Sequence, residues 1–381
     1  MLLDRVIAIF TSLRLTVICL CLGLVLVFFG TLAQVDLGLY RAQNDFFRSF
    51  FVYWGPSGAS WKIPIFPGGY LVGGVLLLNL IAAHIKRFTL AKNKIGIFMV
   101  HAGLILLLLG QLLTDLLSVE SVVHLRVNEK RNYSEEMRRF ELAIIDTSNP
   151  DADKVVAIPE GLLNSRKVIH PAQLPFGLRV KRYYANSEVA ANQQPSFEPS
   201  PATRGSGVGL SIKGKPKVTS IDLQDVPTAV VELESASGSA GQWLVSGFLD
   251  AQSFSLANHN YQMALRPARH YKPFSLQLVK FNHAVYQGTD IPRDFSSRVR
   301  LTRPATGEDR EALIYMNNPL RYGGETFYQS SFDPDDAGTV LQVVHNPGWL
   351  TPYFSCALIG LGMVVQFLSH LIAFLKRRAR A

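Results

Sequence analysis

The residues best suited to chemistry in this 381-residue chain are three histidines set among apolar neighbours. His101 falls inside GIFMVHAGLILLLLGQLL, residues 96–113, a stretch that otherwise reads as pure bilayer. His84 closes a second apolar run just before Lys86, and His370 stands six residues ahead of a basic tail that begins at Lys376. An ionisable side chain inside a membrane-length run is costly, so it is by default a functional hypothesis. Neutral imidazole is a common axial ligand of haem iron, and haem is a flat apolar macrocycle that suits a site between helices. The structural alternative is a hydrogen bond to a neighbouring helix's carbonyl at 101, with snorkelling to the interface at 84 and 370. Position alone leaves both readings open.

The elements that must position these imidazoles are four apolar runs, roughly 13–33, 65–85, 95–117 and 349–375. Each is near the ~20 residues needed to cross ~30 Å of hydrocarbon. They account for a composition that is 48% hydrophobic and only 18% charged, leaving ordinary globular composition in between. The expected architecture is an integral membrane α-helical protein with four transmembrane helices and a large extracytoplasmic β-rich domain. Its parts are a membrane domain at 1–117, an outer domain of about 230 residues at 118–347, a fourth span at 348–375 and a basic tail at 376–381. The first run carries Arg5 and Arg14 at its front but no small-residue cleavage site, so it reads as a retained anchor.

Orientation follows from the short loops. Lys86, Arg87, Lys92 and Lys94 crowd the link between the second and third runs, and Lys376, Arg377, Arg378 and Arg380 follow the fourth. The positive-inside rule puts both termini in the cytoplasm and the large domain outside, in a multi-pass protein of a bacterial cytoplasmic (inner) membrane in contact with lipid. The net charge of +9 is then mostly topological and gives no groove for nucleic acid. All three cysteines, Cys19, Cys21 and Cys356, fall within predicted spans. There is no C-x-x-C and no C-x-x-C-H, which argues against a thiol oxidoreductase and against covalently attached haem.

With the basic ends as depth markers, His101 lies about six residues, or ~9 Å, into its span, so three imidazoles occupy the inner half of the membrane. Gly96, Gly103 and Gly110 recur every seven residues and make a smooth stripe for helix packing. His101 lies roughly opposite, since two residues of helix turn about 200°. In the second run, Gly68-Gly69 and Gly73-Gly74 are expected to let another helix approach closely. The outer loop at 34–64, with Tyr53, Trp54 and Trp61, reads as an interfacial belt.

The outer domain reads as β. Runs at 139–146, 177–183, 229–233, 274–280 and 339–344 alternate or cluster β-branched and aromatic residues between turn signals. LPFGLRVK at 174–181 and KPFSLQLV at 272–279 look like copies, as if similar strands recur in a sandwich or open barrel. Residues 185–207 are rich in Ser, Pro, Asn and Ala and read as a surface excursion. His345, in a Pro-Gly-Trp turn leading into the fourth run, reads as structural. His124, His170, His259, His270 and His283 lack the spacing of a zinc site, and no hydrolase or phosphate-loop motif appears. Two dense stretches stand out: IYMNNPLRYGGETFYQSSF at 314–332, with a turn at Pro319 and Gly323-Gly324 before a strand, and VYQGTDIPRDFSS at 285–297.

At these residues the chain resembles the ResB (CcsB) family, the membrane subunit that works with ResC (CcsA) in system II cytochrome c maturation. The likeness rests on M-N-x-P-L-x-Y-x-G-x-x-F-Y-Q-x-S at Met316 to Ser331, Y-x-G-T-x-x-P-x-x-F-x-S at Tyr286 to Ser297, G-x-x-x-x-H-x-G at Gly96 to Gly103, and the order of spans and domain. It covers nearly the whole chain, and the two outer blocks are its specific part. It implies a subunit that pairs with a ResC/CcsA-like membrane protein to carry haem across the cytoplasmic membrane. There haem is attached to the C-x-x-C-H thiols of apocytochrome c. It further implies that a histidine from a ResB span and one from ResC ligate haem b within the membrane; the first maps onto His101, as axial ligand to the iron, with His84 second. The tryptophan-rich motif that presents haem belongs to ResC and is absent here, so the chain is expected to be a non-catalytic or co-catalytic subunit of a haem lyase. The alternative is a non-catalytic membrane scaffold or assembly factor whose outer β domain binds a protein partner.

Overall fold

The computed structural model describes residues 2–56, 61–86, 94–150, 152–165, 168–191, 195–218, 223–235, 238–289 and 291–380. Arg87 and Lys92, two of the four cations used above to orient the chain, lie outside the described residues. The chain forms two compact units, one holding Met1–Val119 and Asn346–Ala381, the other Glu120–Val218 and Asp222–His345.

The first unit is helical. A short helix α1 (Leu2–Phe10) breaks at Thr11-Ser12, where the Ser12 hydroxyl accepts from the Arg14 amide at 3.2 Å and so caps α2 (Leu13–Leu37). After a turn, α3 (Leu39–Ala42), and a π-helical segment, Gln43–Phe47, the chain makes a hairpin of β1 (Phe51–Trp54) and β2 (Ile63–Pro67). Helices α4 (Gly69–Lys86) and α5 (Ile95–Leu117) follow, and α7 (Thr351–Arg378) returns after the β domain. Among the described residues α2, α4, α5 and α7 are long and apolar enough to cross a membrane. The second span begins four residues later than its composition suggests. Pro64 and Pro67 lack amide hydrogens and suit a two-stranded edge, so Ile63–Pro67 pairs with β1 and the helix starts only at Gly69.

The seven-residue glycine stripe does what its spacing implies. Gly96, Gly103 and Gly110 are buried, and Cβ atoms added there would meet Gln366 and Gly362, Ile359 and Ser355, and Thr351, all on α7. The expectation for α4 is corrected: nothing lies within 4 Å of a Cβ at Gly73 or Gly74, and Gly68 and Gly69 are crowded by Ser49 of the preceding loop and by Phe47 at the end of the π-helical segment, not by another membrane-length helix. That loop is tied down by Asp115 of α5, which takes the Arg48 guanidinium at 2.8 Å and the Tyr70 hydroxyl of α4. The aromatic hairpin keeps Tyr53, Trp54 and Trp61 exposed.

The second unit has two cores. Strands β3 (Val119–Arg126), β4 (Lys130–Asp146), β14 (His259–Val285), β15 (Pro292–Arg303), β16 (Glu308–Tyr315), β17 (Leu320–Tyr322), β18 (Glu325–Phe332) and β19 (Gly338–His345) form one sheet ordered β16-β15-β14-β4-β3-β19-β18-β17. Its two end strands, β16 and β17, are joined by a tight turn whose Tyr315 and Asn318 exchange backbone hydrogen bonds, so the sheet curls round its own core of Leu125, Leu276, Leu278, Val299, Leu301, Ile314, Phe327 and Leu341. Gly323 and Gly324, at φ of 62° and 80°, make the two-residue turn between β17 and β18 that only such residues enter cheaply.

The second core is a sandwich. The other ends of β4 and β14, flanked by β5 (Lys154–Pro159) and β13 (Gln252–Leu256), face a sheet of β6 (Val168–Ile169), β7 (Gly177–Tyr184), β11 (Thr228–Ser235) and β12 (Gly238–Ser246), with a helical turn, α6 (Glu160–Asn164), between β5 and β6. The 27-residue β14 therefore serves both cores, Tyr261–Leu265 in one and Phe274–Leu278 in the other. The two sequence copies fall one in each: Phe176, Leu178 and Val180 in the sandwich, Phe274, Leu276 and Leu278 in the curled sheet. Both readings, sandwich and barrel, describe part of this unit. The supposed excursion at 185–207 is corrected as well. It carries β8 (Ser187–Ala190) and β9 (Glu198–Pro199), which pair with β10 (Ser211–Gly214), and Ser187 is buried with its hydroxyl donating to Thr228.

Candidate functional site

Within the helical unit, the break between α1 and α2, the last turns of α4 and the first turns of α5 surround a cavity of about 290 Å³. Its walls are Thr11, Ser12, Leu13 and Thr16, then Asn79, Leu80, Ala83 and His84, then Lys94, Ile97, Phe98 and His101. Two of the three sequence-nominated histidines meet here. The rings of His84 and His101 are 6.2 Å apart, centroid to centroid, and His84 also stacks on Phe98 at 4.6 Å. His370 does not join them. It sits exposed on α7 and receives a hydrogen bond from the Gln366 amide of its own helix at 2.6 Å.

The state of His101 follows from its partner. Its Nδ1 lies 2.8 Å from the Ile97 carbonyl one turn back, and a carbonyl only accepts, so Nδ1 carries the proton. Nε2 then keeps its lone pair, which is the form in which imidazole binds a metal. Helix α5 can place this ring here because its glycine face is spent on α7, leaving the opposite face, with Ile97, Phe98 and His101, to the cavity.

Asn79 is the residue that sequence reasoning missed. It is 1% exposed, its amide donates to the carbonyls of Phe10 at 2.7 Å and Ser12 at 3.1 Å, and its carbonyl accepts from the Thr16 hydroxyl at 2.6 Å. It thereby holds open the break between α1 and α2 that forms one wall. The signal was present, since an amide in GGVLLLNLIAAH is as anomalous in hydrocarbon as a histidine. Asp115, a carboxylate near the other end of α5, was legible on the same ground.

For an iron porphyrin the donor set fits in kind. Imidazole nitrogens suit the iron, and two imidazole rings line the cavity, 6.2 Å apart centroid to centroid. Leu13, Leu80, Ala83, Ile97 and Phe98 suit the macrocycle, and Lys94 suits a carboxylate edge. The volume is at the lower limit of ligand pockets, so a macrocycle would need a further wall from outside this chain.

In the β unit the two dense motif blocks come together. The Ser297 hydroxyl, on β15, lies 2.7 Å from Gln329 Oε1 on β18 and 2.9 Å from Thr339 Oγ1 on β19, and Gln329 Nε2 donates to Thr339 at 2.7 Å. Ser297 and Thr339 are wholly buried, so these block residues knit strands together. Elsewhere Ser148, His259 and Asp146 meet, but hydroxyl and carboxylate both face Nδ1 of the ring, whereas a proton relay needs them on opposite nitrogens. Among the described residues no group of three His, Cys, Asp or Glu is placed to hold a metal ion.

Among the described residues, four helices long and apolar enough to cross a membrane, joined to a β unit of two cores, mark the chain as a membrane protein, with two imidazoles lining one cavity of its helical unit. The chain belongs to the ResB-like family, whose sequence profile matches residues 91–340. It is also similar to protein NrfI of Wolinella succinogenes, 26% identical over 297 residues, which is 77% of this chain and 29% of NrfI. The chain thus spans about three-tenths of the length of that relative.

Proposed function

We propose that this chain is the ResB-like subunit of a system II cytochrome c synthase, a haem-handling membrane protein that works with a ResC-like partner to deliver haem to apocytochrome c. Membership of the family supports a role in cytochrome c biogenesis. The four apolar helices would span the bacterial cytoplasmic membrane with both termini inside and the β unit outside, an arrangement supported by the cations Lys86, Lys94, Lys376, Arg377 and Arg378 at one set of helix ends. Haem b is the cargo, with His101 as an axial ligand and His84 beside it.

The observation that carries this reading is the pair of imidazoles, their rings 6.2 Å apart, in a cavity that also presents Leu13, Leu80, Ala83, Ile97 and Phe98. The protein co-purified with its ResC-like partner should show a b-type haem spectrum. His101→Ala should lose that spectrum and regain it with added imidazole, since the vacated space matches the missing ring. An unchanged spectrum in His101→Ala would overturn the assignment. A second reading, a scaffold with structural histidines, draws on the bond from His101 to Ile97. Under it the purified complex is colourless, and His101→Ala lowers stability while leaving cytochrome maturation intact. Orientation is tested separately, by whether a reporter active only outside the cytoplasm works when fused within 120–345 and fails when fused after Arg380.

A further inference from the structure

We propose that His283, on the β unit and remote in sequence from the helical cavity, is a second imidazole ligand for an iron porphyrin. Its Nδ1 lies 3.0 Å from the Asp336 carboxylate, in the turn where Asp333 and Gly338 are joined by a backbone hydrogen bond between β18 and β19. A carboxylate accepts only, so the proton sits on Nδ1 and Nε2 carries the lone pair. That Nε2 is buried and has no hydrogen-bond partner, on a side chain that is 13% exposed. Leaving a buried acceptor unpaired costs stability, so an orphan of this kind calls for a reason.

A carboxylate on one ring nitrogen and a bare lone pair on the other is how protein imidazoles are prepared to bind metals. The metal cannot be a bare ion, which needs several protein donors where the described residues offer no group of three. A metalloporphyrin brings four nitrogens of its own and asks for a single axial ligand. The rest of the corner suits a flat apolar ring. Phe332 lies 4.3 Å from His283 and Phe281 6.5 Å, centroid to centroid, and Phe295 lies 5.2 Å from Phe332. All three phenylalanines are half-buried, and Phe332, the ring nearest the imidazole, would have to turn aside for a macrocycle to reach Nε2. Phe295 belongs to one sequence block and Phe332 directly follows the other, so the Ser297–Gln329–Thr339 network fixes the frame in which this corner sits.

The inference rests on iron porphyrin being the molecule handled, but not on His101 or His84 binding it. The test uses the full chain in detergent with His84→Ala and His101→Ala, titrated with ferric haem and read by the Soret band. Saturable binding with an imidazole-ligated spectrum is expected. Adding His283→Asn should weaken it at least tenfold, because an asparagine amide still donates to Asp336 but has no lone-pair nitrogen; an unchanged melting temperature shows that the turn is kept. Phe332→Ala, which removes the ring nearest the imidazole and keeps Nε2, should strengthen binding or speed its onset. Haem uptake that is absent in the double variant, or that His283→Asn or Phe332→Ala leaves unaltered, overturns the proposal. If the co-purified complex fails to show haem at His101 while a His283-dependent Soret shift remains, the helical assignment falls and this one stands.

Discussion

Replacing Gly96 by alanine should pry α5 from α7, and the structure sets the scale. An added Cβ at 96 lies 2.6 Å from the Gln366 amide nitrogen and 2.7 Å from the Gly362 carbonyl oxygen, both backbone atoms that no rotamer change can move. Ordinary contact starts at 3.4 Å, so the two helices must part by 0.7–0.8 Å, the shortfall at those two atoms. A gap of 0.5–1 Å forfeits roughly a quarter to a half of each dispersion contact along the seam. Overpacking of this kind costs about 1–3 kcal/mol, against a gain of about 0.5–1 kcal/mol for alanine over glycine in a helix. Gly73→Ala on α4 is the matched control: nothing lies within 4 Å of its Cβ, so only the gain remains. Measured side by side by reversible unfolding in mixed micelles, the two variants should differ by about 2 kcal/mol, with Gly73→Ala the more stable. Equal stabilities would refute the reasoning, for they would mean that the glycine stripe is not what seats α5. Because His101 is on the same helix, a shifted seam also moves the imidazole.

Asn79→Leu should destabilise the chain by about 1–2 kcal/mol, near the upper end for hydrogen bonds between membrane helices, and should expose α1 to protease as the Phe10 and Ser12 carbonyls lose their donor. Full resistance in the variant would contradict the role given to it. In the β unit, Ser297→Ala should cost about 1 kcal/mol or more by leaving half-buried Gln329 and buried Thr339 short of a partner, whereas Ser296→Ala, one residue along, should be near neutral in the same thermal assay. The Tyr322 hydroxyl and Arg310 hold the Glu308 carboxyl below its usual range, Arg300 does so for Asp309, and Lys181 for Glu232. Depressed carboxylates contribute above their ordinary value of about 4.3 and lose that contribution as pH falls through the lower folded values. Stability should therefore be flat from pH 7 to about 5 and decline below about 4, and Tyr322→Phe should move the Glu308 titration upward; a stability that rises on acidification would contradict this.

How much of this was legible in the sequence depends on how local the cause is. The heptad of glycines and the position of His101 opposite it are set by helical geometry alone, and both stand in the structure as read. So do the Gly323-Gly324 turn and the alternating strands, which need only their own φ angles and period. What escaped depends on partners far along the chain. Nothing in HNYQMALRPARHYKPFSLQLVKFNHAV announces a single strand shared by two cores, because its two apolar stretches are claimed by β5, β7 and β13 on one side and by β15 on the other. The polar excursion at 185–207 acquires strands for the same reason: β10, more than ten residues downstream of β9, supplies the pairing. The second span was misjudged at its start because hydropathy scores Ile63–Pro67 as membrane, while the prolines and the pairing to β1 make it a strand.

The polar groups within the apolar helices bear on which of them serve the fold. Asn79 spends its amide hydrogens and its carbonyl on Phe10, Ser12 and Thr16. Asp115 spends one oxygen on Arg48 and the other on Tyr70, and Ser355 returns its hydroxyl to Thr351 of its own helix. Each of these makes the bonds that a side chain retained for stability makes in hydrocarbon, where no water substitutes. His101 departs from that pattern. It spends Nδ1 on Ile97, which orients the ring, and retains Nε2 beside His84 in a cavity whose other walls are aliphatic, aromatic and hydroxyl groups with Asn79 and Lys94. A leucine at 101 would be the cheaper residue for packing alone, since burying an imidazole for one hydrogen bond to its own helix returns little. The same comparison singles out His283 in the β unit, where one nitrogen is anchored on Asp336 and the other is left bare among phenylalanines. Each of these two imidazoles is oriented through Nδ1 and retains the lone pair of Nε2, the form in which each would bind the metal-bearing ligand proposed above, and neither arrangement is what stability alone would select.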